Sequence, residues 1–74
     1  MNLYEVIVQS APPGLVHKVT EDVAAAFRKR GYDTKTAGPY MATDRPPEKR
    51  DIRAVTRNFQ KYDLSVSIEL ASSC

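Results

Sequence analysis

His17 is the only histidine in this 74-residue chain, and Glu21 follows it by four positions. On a helix that spacing puts both side chains on one face, as a base and a group to orient it. General acid–base work needs further polar groups converging in a cleft. No such partner lies near in sequence, so the pair reads as solvated surface. His17, Glu21 and Asp22 would offer a metal ion a loose patch, with no second histidine or thiolate to close it. Cys74 is the single cysteine. A reactive thiol needs fixed surroundings that lower its pKa, and a chain end does not supply them. One cysteine also excludes an internal disulfide and a cysteine-based zinc site. Pro13-Gly14 carries one glycine and matches no phosphate-binding glycine loop. The expectation is a protein that is not an enzyme and needs no cofactor or metal.

Charge placement is more informative. From Arg45 to Lys61 six basic residues (Arg45, Lys49, Arg50, Arg53, Arg57, Lys61) stand against Glu48 and Asp51, a net +4 in a chain whose total is +2. On a helical wheel Arg50, Arg53, Arg57 and Lys61 lie together, almost opposite Ile52, Val55, Phe59 and Tyr62. If the apolar face packs inward, the basic stripe faces out. Arg53 with Arg57, and Arg57 with Lys61, are like-charge i, i+4 pairs that each cost a few tenths of a kcal/mol. A face that bears such repulsion suits an external anionic partner, and arginine's planar fork fits carboxylate and phosphate alike.

These groups must be positioned by a small domain. Seventy-four residues make a single domain, spanning 1–74. Alternating residues predict a strand over Leu3 to Gln9, with Tyr4, Val6 and Val8 on one face. Pro12-Pro13 then opens a helix, since proline suits a first turn. Leu15, Val16, Val19, Val23, Ala26 and Phe27 form its apolar stripe. Arg28 to Arg30 complement its negative end, and Gly31 suits the residue beyond its C-cap. The stretch 32–43 holds two short β-prone pieces around Gly38-Pro39, read as a hairpin or as one strand and a loop. Asp44 to Pro47 opens a second helix, with proline in its first turn. Leu64 to Ala71 alternates as a strand, and 72–74 reads as a frayed tail. The order predicts an α+β two-layer sandwich of the ferredoxin-like β-α-β-β-α-β type, with a smaller β-α-β-α-β sandwich as the alternative.

No apolar run reaches the ~20 residues of a membrane helix. The start, Met1-Asn2-Leu3-Tyr4-Glu5, lacks the basic segment of a secretory leader. A cytoplasmic protein with no membrane contact is expected. Tyr4 and Tyr40 invite comparison with sheets that stack RNA bases, but Tyr4 shares its face with core valines and the RNP1 pattern is missing. Both tyrosines read as core or rim. Two functions follow. The first is a non-catalytic inhibitor or adaptor module that meets an acidic protein surface through the basic helix. The second is a nucleic-acid-binding module that uses the same helix on phosphates. A homodimer through a sheet edge, or through the open face around Ile7, is a further possibility.

Overall fold

The computed structural model describes residues 2–73. The elements are β1 (Asn2–Val8), α1 (Pro13–Lys29), β2 (Thr34–Ala37), β3 (Tyr40–Thr43), α2 (Lys49–Gln60) and β4 (Val66–Ser73). The four strands form an antiparallel sheet in the order β2-β3-β1-β4. Both helices cover one face, with α1 over β1, β2 and β3, and α2 over β4 and against α1. This is a small α+β domain. The 32–43 stretch is two paired strands joined at Gly38-Pro39, so the smaller sandwich is set aside.

The periodicities explain the core. Tyr4, Val6 and Val8 are buried from β1, and Val19, Val23 and Phe27 from α1. Met41 is buried from β3 and Val55 from α2. The alternation that carries Tyr4 inward leaves Leu3, Glu5 and Ile7 on the open face, half-buried. Thr20 and Ala24 are also fully buried, so the packed face of α1 is wider than its aliphatic stripe. The Thr20 hydroxyl donates to the Val16 carbonyl at 2.7 Å, which lets a polar side chain sit there.

Both helices end in the same device. Tyr32 N–H donates to the Phe27 carbonyl and Gly31 N–H to that of Arg28. Gly31, at φ +92°, takes the left-handed position of this Schellman motif. The Phe27 and Tyr32 rings meet edge to face, 5.4 Å between centroids. In α2, Leu64 N–H donates to Phe59 and Asp63 N–H to Gln60, with Asp63 at φ +58° in the left-handed position.

Four expectations need correction. Pro46 and Pro47 do not lie in the first turn of α2; they precede its N-cap, Glu48, where proline holds its predecessor extended. Tyr62 does not belong to the apolar face of α2. The helix stops at Gln60, and the turn that follows leaves Tyr62 74% exposed. Tyr32 is not a hairpin residue but lies ahead of β2. Ser72 and Ser73 are not frayed. Past a register shift in β1 they pair with Leu3 and Asn2, because ladder bonding uses the backbone whatever the side chain. Cys74 lies outside the described residues.

Candidate docking surface

Helix α2 is held from two sides. Val55 is its one fully buried residue, with Ile52 and Phe59 partly buried against the same core. Its flank toward α1 carries Asp51 and Asn58; Asn58 lines an open groove with Asp22, Ala25, Ala26, Lys29 and Arg30 of α1 and its cap. What remains is the outer face and the flank over the edge of the sheet. There Lys49, Arg53, Arg57 and Lys61 follow one another at intervals of four, all exposed.

Tyr32 fixes the rotation of α2. Its ring is buried, and its hydroxyl donates to Asp51 Oδ2 at 2.7 Å. The Tyr32 hydroxyl oxygen also accepts the N–H of Glu48 at 3.0 Å, so a side chain from the end of α1 satisfies a free donor at the start of α2. Arg30 Nη1 donates to Asp51 Oδ1 at 2.8 Å. Arg45 closes the other side. Its guanidinium lies 4.1 Å from the centre of the Tyr32 ring and donates to the Gly31 carbonyl and to Asp44.

This cluster shifts two protons. The Glu48 N–H pulls the Tyr32 phenol down. The hydrogen bond to Asp51, burial, and the charges of Asp51 and Glu48 outweigh it and hold the phenol above its ordinary value. Asp51 moves the other way. The hydrogen bond from Tyr32 is the largest influence. With the Arg30 hydrogen bond and the charges of Arg30 and Arg50, it overcomes burial and keeps the carboxyl below its usual range.

The cations singled out in sequence therefore part company. Arg45 is committed to Tyr32, Gly31 and Asp44. Arg50 donates to Glu48 at 2.7 Å, an exposed pair that contributes little. Lys49, Arg53, Arg57 and Lys61 make no ion pair among the described residues. The residue that sequence reasoning missed is Tyr32. Its partners lie 16 and 19 positions away, beyond any helical or strand spacing. An isolated tyrosine after a helix-ending glycine was the one local hint.

The other candidates stay dispersed. His17, Glu21 and Asp22 are exposed on α1. His17 leans on the β2–β3 turn, its Nε2 3.6 Å from where a Cβ on Gly38 would stand. Among the described residues no group of three His, Cys, Asp or Glu gathers as metal ligands, and no helix is long and apolar enough to cross a membrane. Comparison with protein-family models, curated proteins and solved structures found no match.

Proposed function

We propose that this chain is a non-catalytic protein-binding module, of inhibitor or adaptor type, that docks on an acidic protein surface through the outer face of α2. The observation that carries this reading is how the arginines are used. Four of the six have partners within the chain: Arg28 on the Thr34 carbonyl, Arg30 on Asp51, Arg45 on Asp44 and Gly31, and Arg50 on Glu48. Arg53 and Arg57 are exposed, one turn apart, and have none among the described residues. Lys49 and Lys61 extend the row in both directions. Each i, i+4 contact in it is repulsive. Lys49 also sits at the positive end of the helix dipole, where a cation is disfavoured. Local stability gains nothing from this arrangement, and an anionic partner would.

The strand order, read from the other edge as β4-β1-β3-β2, supports classing the domain as ferredoxin-like. Its lone thiol suits the reducing cytoplasm, and we place it there. The test is charge reversal. With Arg53→Glu and Arg57→Glu together, capture of the partner from the native host should fall about tenfold or more, with the far-ultraviolet spectrum unchanged. Undiminished capture would remove α2 from the interface. A mobility-shift titration separates the nucleic-acid reading. Salt-sensitive duplex binding, with a slope near −0.9 per phosphate contact, would favour that reading instead.

A further inference from the structure

Strand β4 is an edge strand of eight residues, the longest in the sheet. Long edges are normally blunted with proline, lysine or a short span. This one contains no proline or basic residue and a single charge, Glu69. The hydrogen-bond pattern shows which groups it leaves free. Gln9 N–H donates to the Ser65 carbonyl, so 9 and 65 form a hydrogen-bonded pair. By the antiparallel alternation Ile7 with Ser67 and Glu5 with Glu69 are the next such pairs. Val66, Ile68 and Leu70 therefore direct their N–H and C=O groups away from β1, toward solvent. Their side chains are on the helix side, where Leu70 is 59% exposed.

Above this edge stands α2. Its sheet-facing residues are Ile52, Val55 and Phe59, and its α1-facing residues Asp51 and Asn58. At about 100° per residue, the flank that overhangs β4 then carries Lys49, Arg53, Thr56 and Gln60. A short turn returns the chain from α2 into β4, so the N-terminal half of α2, with Lys49 and Arg53, lies over the later half of the strand. The free backbone groups of β4 thus lie beside Lys49 and Arg53, which make no ion pair among the described residues.

We infer that the edge of β4 takes an extended acidic segment of the partner as an added strand. The inference rests on the docking reading of α2 and specifies what the partner presents. Its backbone bonds to Val66, Ile68 and Leu70. Its alternate carboxylates face Lys49 and Arg53, and the residues between them face the open side beside Ser67 and Glu69. A second copy of this chain fits the edge less well. Pairing β4 with its own copy would bring the two Lys49–Arg53 flanks toward each other.

The test uses the full chain labelled with nitrogen-15 and three synthetic peptides. One alternates glutamate with valine. The second has the same sequence, N-methylated wherever an N–H would face β4. The third carries lysine in place of glutamate. The first peptide should slow hydrogen exchange at Val66, Ile68 and Leu70 by about tenfold or more, and the other two should not. The Lys49→Glu, Arg53→Glu double variant should bind the first peptide about tenfold more weakly. No protection by the first peptide would overturn the inference. Equal binding of the N-methylated peptide would overturn strand addition while leaving docking on α2 intact. Protection of these amides without peptide, rising with protein concentration, would show the edge occupied by a second copy and would also overturn it.

Discussion

Val55→Ala tests how α2 is held. Val55 is the one residue among the twelve of α2 that is fully buried, at 1% exposure. The substitution deletes two methyl groups, worth ~1.6 kcal/mol of transfer at 0.8 kcal/mol each. The cavity left between α2 and the sheet raises the cost to about 2 kcal/mol. A domain of this length has roughly 4–11 kcal/mol in all, at 0.05–0.15 kcal/mol per residue. The loss is therefore a large fraction of the total and should lower the melting temperature by about 8–16 °C. Thermal unfolding followed by circular dichroism reads the cost. Hydrogen exchange should speed up more in the amides of α2 than in those of α1, which buries Val19, Thr20, Val23, Ala24 and Phe27. Tyr62→Ala is the control. A helix continued past Gln60 would set Tyr62 on the same face as Val55, yet its exposure is 74%, and its removal should change stability by no more than about 0.5 kcal/mol. Equal costs for the two variants, or a Val55→Ala cost below about 0.5 kcal/mol, would refute the packing described.

The remaining expectations concern the helix ends, the Tyr32 cluster and the free cations. Gly31→Ala places a Cβ at φ +92° and should cost about 1–2 kcal/mol in denaturant unfolding, while Asp63→Gly relieves φ +58° and should raise the midpoint. Asp51 has a lowered pKa in the folded state, so its contribution is present above its ordinary value of 3.8 and is lost as pH falls through the folded value. Asp51→Asn should therefore flatten the acid limb of the stability curve, and an unchanged limb would contradict the cluster. Tyr32 has a raised pKa, so its contribution is present below its ordinary value of 10.0 and is lost as pH rises through the folded value. Tyr32→Phe should flatten the alkaline limb, as urea midpoints across that range would show. Arg53→Glu replaces two repulsive contacts, with Lys49 and Arg57, by attractive ones and should stabilise the free protein by a few tenths of a kcal/mol. Destabilisation would mean that Arg53 serves the fold itself.

Local signals located most elements because each is set by neighbours along the chain. Tyr4, Val6 and Val8 alternate with Leu3, Glu5 and Ile7, and only a strand puts the first set on one face. Val19, Val23 and Phe27 recur at helical spacing, and Gly31 then supplies the left-handed residue that ends α1. The end of α2 was less legible. Its left-handed position is filled by Asp63, a residue that tolerates this conformation without announcing it as glycine does. A helix continued past Gln60 would carry Tyr62 inward. Ser72 and Ser73 resemble a tail for a similar reason. Their side chains carry no pattern, and their place in β4 comes from the backbone of Leu3 and Asn2 at the far end of the sequence.

The element order, the inward faces of β1 and α1, and the concentration of positive charge between Arg45 and Lys61 are legible along the chain. Each depends on residue type and short spacing. Which of those charges find a partner is set by the tertiary fold. Arg45 is drawn onto Tyr32 and the end of α1, while Arg53 and Arg57 meet no carboxylate among the described residues. The fold also decides that Tyr32, through Asp51 and Glu48, fixes how α2 is turned. Ion pairs and hydrogen bonds act over a few ångströms in space, and folding brings together groups that the chain separates by 16 or 19 residues.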